Sequence, residues 1–274
     1  MGADQQSDIA RQETVATLPA ELYLEVTNRC NLKCHTCPQD FGMPEEFNDL
    51  STKEVEAILD QLPVLKRVVL HGIGESLMNR ELPEIVAACK KRGAYTLFNA
   101  NGTIFPTQRV ERVIKAGLDE LRVSMDAAST ETYKNIRGED LFEKILENLE
   151  KLSTIKKGLH LETPRVSLWM TGLTTNIDEL PELVRIAARL NIKEVYLQRL
   201  VTSDRGLARR DLTLYREHTT PSRDPSVLQA LNEAEKLAED LGVELLGSGS
   251  AKAKTSLNKD LNNAPWRQCR RPWV

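Results

Sequence analysis

The sequence predicts an α/β protein in which six parallel strands are each followed by a helix. Two observations lead there. Short β-like runs alternate with longer amphipathic runs from Leu22 to Arg199. The longer runs carry apolar residues at i, i+3, i+4 and i+7, one face of a helix. Strands separated by helices pair in parallel, because parallel neighbours need crossover connections. The result is a (β/α)6 arrangement, and periodicity leaves it open between an open barrel and a doubly wound sheet. In both, ligands collect at the C-terminal ends of the strands.

The strands are expected at Leu22–Val26, Arg67–His71, Tyr95–Asn99, Leu121–Met125, Arg165–Trp169 and Val195–Arg199. Between the first two, Ser51 followed by Glu54 has the capping-box pattern of a helix start. Leu82, Ile85, Val86 and Cys89 form one helical stripe; Val110, Val113, Ile114 and Leu118 form another, ending near Gly117. Leu180, Leu183, Val184, Ala187 and Leu190 form a third. Beyond Arg199 the rhythm weakens into a polar, arginine-containing stretch, Thr202–Arg223. An amphipathic run at Ser226–Leu241 and a short strand at Val243–Leu246 follow, and Gly247–Ser250 reads as a flexible linker. The expected organisation is a loose segment over 1–18, the barrel over 19–200, its extension over 201–250, and a separate segment over 251–274.

The 274 residues hold one barrel-sized domain or two smaller ones. The net charge of −3 gives no electrostatic reason to name nucleic acid or an anionic membrane as the main partner. No apolar run is long enough for a signal peptide near Met1 or for a membrane-spanning helix elsewhere. The chain therefore reads as cytoplasmic, and clustered cysteines there point to metal binding or redox work.

Three of the five cysteines, Cys30, Cys34 and Cys37, stand in a C-x3-C-x2-C spacing just after the first expected strand. Three thiolates this close can hold one four-iron cluster and leave the fourth iron open to a ligand. The competing reading is a zinc site completed by His35 or Cys269, but the second downstream cysteine pair usual for such sites is missing. Cys89 lies on its helix's apolar stripe and reads as a buried, inert thiol.

The run LEVTNRCNLKCHTCP resembles the signature loop of the radical S-adenosylmethionine (SAM) superfamily, with Thr36 where an aromatic residue often stands. His71–Asn79 is similar to that family's Gly-Gly-Glu-Pro segment, with Ile73 and Ser76 replacing the first glycine and the proline. Asn99–Thr103 resembles its TNGT turn, Val123–Ala127 its VSLDG strand end, and Tyr133–Gly138 its Y..IRG helix end. The resemblance spans Leu22 to about Leu200 and implies a partial (β/α)6 barrel.

It also implies a [4Fe–4S] cluster on Cys30, Cys34 and Cys37, with SAM as the second cofactor. Among the cofactor contacts, Gly74 lets backbone approach the ligand, and Glu75 takes the methionyl ammonium. Asn101 belongs to the turn that faces the cofactor, and Ser124 sits at the nucleoside or methionyl end. Asp126 orders the neighbouring loop or the substrate, and Arg137 grips the carboxylate in a bidentate contact. In this chemistry the reduced cluster passes an electron to the sulfonium, and the resulting 5′-deoxyadenosyl radical abstracts hydrogen from a substrate.

The final residues, Trp266–Val274 with Cys269, resemble the opening of the SPASM extension that follows many such barrels, so the chain reads as ending where that extension begins. SPASM-type relatives mostly modify peptides or proteins. The resemblance thus implies an oxidoreductase of peptide or protein maturation, fed by flavodoxin or ferredoxin. Small-molecule or cofactor-precursor synthesis is the alternative reaction, and a non-enzymatic iron–sulfur or zinc module the alternative class.

Overall fold

The structure, a computed structural model, describes residues 18–41, 46–200, 224–247 and 252–257. Its strands are β1 (Glu21–Tyr23), β2 (Arg67–Leu70), β3 (Tyr95–Ala100), β4 (Glu120–Ser124), β5 (Arg165–Gly172), β6 (Glu194–Arg199) and β7 (Glu244–Gly247). They pair in parallel in simple sequence order, β1 to β7. A doubly wound sheet would reverse its order about a switch point. This one does not, and among the described residues β1 and β7 remain edges, so the sheet is an open barrel.

Alternation along each strand sorts the two faces. Val68, Leu70, Phe98, Ala100, Val123, Leu168, Met170, Val195 and Leu197 are buried in one apolar core with the helices. The alternate positions, among them Glu25, Arg67, Asn99, Arg122, Ser124 and Trp169, point to the concave side.

The helices are α1 (Thr52–Leu59), α2 (Leu82–Lys91), α3 (Thr107–Lys115), α4 (Thr130–Arg137), α5 (Phe142–Gly158), α6 (Leu180–Arg189), α7 (Pro225–Leu241) and the one-turn α8 (Ala253–Ser256). The capping box at Ser51 and Glu54 is formed in both directions. The stripes expected on α2, α3 and α6 are buried, except that Leu190 at the end of the α6 stripe is only partly so, and Cys89 is fully buried.

Three features differ from expectation. Regular β1 ends at Tyr23 rather than Val26, although Leu24 still bonds Val69 and His71, because the chain then bends to bridge Thr27 with Asp49. Two helices, not one, follow β4; α5 buries Phe142, Ile145, Leu146, Leu149 and Leu152. Gly247 closes β7 instead of opening a linker, and residues 252–257 return to the barrel. Lys252 bridges Leu246, and Ala253 and Leu257 are 2% exposed in the core. Residues 1–17, Thr202–Arg223, the rest of the expected linker, and Cys269 with the C-terminal segment lie outside the described residues. Among the described residues no helix is long and apolar enough to cross a membrane.

Candidate metal and cofactor site

At the C-terminal ends of β1–β4 lies a cleft of about 150 Å³. Cys30, Cys34 and Cys37 all line it, with Gly74, Glu75, Asn101, Ser124 and Arg137. Of the sequence-predicted site residues only Asp126 stands outside the lining; it is 3% exposed, behind Arg137.

The cysteine loop is held from three sides. Asn31 donates to Thr103 Oγ1 at 2.9 Å and accepts from Asn101 Nδ2 at 2.9 Å. Asn101 is itself fixed by accepting the Thr103 N–H and hydroxyl at 2.9 and 2.7 Å. From α4, the Ile136 carbonyl accepts the His35 N–H at 3.0 Å. Gly138, at φ 83°, lies so close to the loop that an added Cβ would sit 3.1 Å from the Lys33 carbonyl. From the loop after β2, the Glu75 N–H donates to the Arg29 carbonyl at 2.8 Å.

Two of the thiol sulfurs already receive side-chain donors. Asn101 Nδ2 stands 3.8 Å from Cys30 Sγ, and Arg137 Nη1 stands 3.6 Å from Cys34 Sγ. Burial pushes the Cys30 thiol above its usual range, as does the negative charge of Glu75; a bound metal would hold it as thiolate. Buried N–H donors aimed at sulfur suit a thiolate set carrying the negative charge of an iron–sulfur cluster. Cys30, Cys34 and Cys37 therefore fit the [4Fe–4S] group. His35, the other nearby donor for a zinc ion, does not line the cleft, and Cys269 lies outside the described residues.

Glu75 is 2% exposed and works inside the chain. Its Oε1 accepts the Leu77 N–H at 3.1 Å and its Oε2 the Asn101 N–H at 2.6 Å, stapling the loop after β2 to the end of β3. Burial pushes its carboxyl up to about 7, although those N–H groups and the charge of Arg137 pull the other way. The sign of the linkage follows. Between pH 4.5 and about 7 the folded state keeps a proton that the unfolded state has lost. The Glu75 contribution to stability therefore falls as pH rises through that window. Glu75→Gln is expected to abolish this fall. It should also cost about 1–3 kcal/mol at low pH, because the amide NH₂ must face a backbone donor. Denaturant melts of both proteins from pH 4.5 to 8 check it; parallel pH profiles would contradict it.

Arg137 is also committed. Its Nη2 pairs with Asp126 Oδ2 at 2.6 Å while Nη1 reaches Cys34, so the fork expected for a free carboxylate is already taken. Asp126 in turn accepts the Thr171 N–H at 2.7 Å, and Asn176 Nδ2 ties the Asp126 and Thr171 carbonyls together at 2.7 and 2.9 Å.

Sequence reading assigned no role to Glu25. Its Oε1 accepts the N–H groups of Ile73 and Gly74, and it packs so tightly on Gly72 that an added Cβ there would overlap it. The signal was present: in Leu22–Val26 the apolar Leu22, Leu24 and Val26 alternate with Tyr23 and Glu25, which places Glu25 on the concave side. Asn79 was also missed. It donates to the Val26 and Leu50 carbonyls at 2.8 and 2.9 Å and so joins the strand before the cysteine loop to α1.

An open parallel barrel with three cysteines after its first strand and a glycine–glutamate loop after its second defines a class of cluster-binding proteins. The chain belongs to the Radical SAM superfamily, whose family model matches residues 24–187. Among curated proteins it is 28% identical over 183 residues to the tungsten-containing aldehyde ferredoxin oxidoreductase cofactor-modifying protein of Pyrococcus furiosus, covering 66% of this chain and 51% of that one. It is 27% identical over 208 residues to a PqqA peptide cyclase of Granulibacter bethesdensis, covering 75% of this chain and 52% of that one. The chain thus spans about half the length of these relatives. Among solved structures, Streptococcus suis SuiB bound to S-adenosylmethionine superposes with a TM-score of 0.67 at 15% identity, covering 86% of this chain and 52% of that one, a likeness of fold.

Proposed function

We propose that this chain is the radical-generating barrel of a SAM-dependent oxidoreductase that acts on a peptide or protein. The observation carrying the reading is the convergence of three cysteines, two of them already hydrogen-bonded at sulfur, on one cleft with the loop Gly72–Glu75. Cys30, Cys34 and Cys37 would hold the cluster. Gly74, Glu75, Asn101 and Ser124 line the space beside it and would bind SAM, with Arg137 contributing charge and Asp126 acting through Arg137. When bound, cluster and SAM supply a 5′-deoxyadenosyl radical for hydrogen abstraction.

The chain's own residues position and shield. The Asn31–Asn101–Thr103 network fixes the cysteine loop. The Glu75 staple fixes the glycine loop against it. The substrate would approach from the concave side of the sheet, where Ser124 and Arg137 line the cleft. A peptide substrate is favoured by relatives named PqqA peptide cyclase. Relatives named Fe-coproporphyrin III synthase and probable GTP 3′,8-cyclase keep a small-molecule substrate as the second reading. A flavodoxin or ferredoxin would deliver the electron.

Anaerobic reconstitution with iron and sulfide is expected to give one four-iron cluster per chain by iron analysis and EPR. Dithionite and SAM should then yield 5′-deoxyadenosine. The Cys30→Ala/Cys34→Ala/Cys37→Ala variant should yield neither. Zinc as the sole metal taken up, or a full cluster in the triple variant, would defeat the reading.

A further inference from the structure

We infer that the buried Asp126–Arg137 pair is a positioning device for the Cys34 corner of the cluster and sets its reduction potential, an inference that rests on the cluster assignment above. Arg137 is 9% exposed and Asp126 3% exposed. One arm of the guanidinium is held by Asp126 at 2.6 Å and the other donates to Cys34 Sγ at 3.6 Å, 103 residues away in sequence. The third donor, Nε, is buried without a hydrogen-bond partner among the described residues, as is the Tyr133 hydroxyl one turn earlier on α4. Tyr133 is 0% exposed, within electrostatic reach of Arg137, Cys34, Asp126 and Cys30.

The buried face of α4 thus sets Arg137 and Tyr133 behind the cysteine loop, while Glu131, Lys134 and Asn135 face outward. The pair is itself anchored. Asp126 accepts the Thr171 N–H of β5, Asn176 Nδ2 donates to the Asp126 carbonyl, and the Ile136 carbonyl accepts the His35 N–H inside the cysteine loop. Arg137 therefore leaves Cys34 only by moving against an Asp126 that is itself tied to β5 and Asn176.

The chemistry gives the two residues opposite effects. Reducing the cluster adds one electron and one negative charge, part of it on the cysteine sulfurs. An N–H donor with a positive charge at Cys34 Sγ stabilises that state and raises the potential. The Asp126 carboxylate opposes part of the charge and holds the guanidinium in place. Removing the arginine should lower the potential; neutralising the aspartate as Asn, whose amide oxygen still accepts from the guanidinium, should raise it. A role confined to holding the fold together would not give opposite signs.

EPR-monitored potentiometric titration of the reconstituted cluster tests this, using dithionite and mediator dyes without SAM or substrate. Arg137→Gln is expected to lower the reduction equilibrium constant at least tenfold, about 59 mV for a one-electron couple. Asp126→Asn should shift the potential upward. Arg137→Lys keeps the charge but lacks the fork that reaches both partners, and should fall between wild type and Arg137→Gln. It serves as the second measurement if Asp126→Asn does not fold. An unchanged midpoint in Arg137→Gln with the cluster fully assembled, or Asp126→Asn and Arg137→Gln moving together, would overturn the inference. A wild-type chain that assembles no cluster would overturn the proposed function instead, so the two failures are separable.

Discussion

Gly74→Ala is expected to cost about 3 kcal/mol, a fall in Tm of roughly 6–12 °C, and to abolish cluster uptake. A Cβ at Gly74 would lie 2.0 Å from the Thr27 carbonyl oxygen and 2.9 Å from that of Arg29. Both obstacles are backbone, so no side chain can rotate out of the way. Relief requires the glycine loop and the strand before the cysteines to part, breaking the 2.8 Å bond from the Glu75 N–H to Arg29 that precedes Cys30. Gly158→Ala is the matched control. Nothing lies within 4 Å of a Cβ there, and the residue ends α5; the change should stabilise by about 0.4–1 kcal/mol through the unfolded state. Thermal melts together with iron content after reconstitution check both. A Gly74→Ala protein that melts like wild type and takes up a full cluster would show that the contact yields easily.

The parts of this site that were legible in the sequence are local. Cys30, Cys34 and Cys37 announce themselves by spacing, and Ser51 with Glu54 by a four-residue signature. The βα rhythm pointed to parallel pairing once each connection was read as a crossover, but left the strand order open between a barrel and a doubly wound sheet. What was not legible depends on contacts between distant segments. That Glu75 staples β3 rather than facing the cleft freely follows from the Asn101 N–H, 26 residues away. That the Arg137 fork is taken follows from Cys34 and Asp126, which no spacing rule joins to it. Helix α5 is a different case: Phe142, Ile145, Leu146, Leu149 and Leu152 carry a plain helical stripe, a local signal as legible as those of α2 and α3.

Glu120→Gln is expected to destabilise the barrel by about 3 kcal/mol, at the low end for breaking a buried ion pair, and to flatten its acid denaturation. Glu120 is 1% exposed on the concave side of β4. Its Oε1 accepts Arg122 Nε at 2.6 Å, and its Oε2 accepts Arg165 Nη2 at 2.8 Å and the Tyr95 hydroxyl at 2.9 Å, so one carboxylate joins β3, β4 and β5. Arg122 also lies 4.7 Å above the Trp169 ring, which stacks on Tyr196 of β6 with centroids 4.2 Å apart. The amide would leave Arg122 with its charge buried and no anion of its own, and would turn an NH₂ toward one of three donors. Arg165 loses less, being half exposed and paired with Glu194 as well. Burial works against the charge on Glu120, but the hydrogen bonds and charges of Arg122 and Arg165 outweigh it and hold the carboxyl below its usual range. A lowered acid contributes stability that is present above its unfolded value of 4.5 and is lost as pH falls through its folded value. Denaturant melts of wild type and Glu120→Gln from pH 7 down to 3 should therefore converge at the acid end. A constant gap across that range would mean that Glu120 acts through packing and not through its charge.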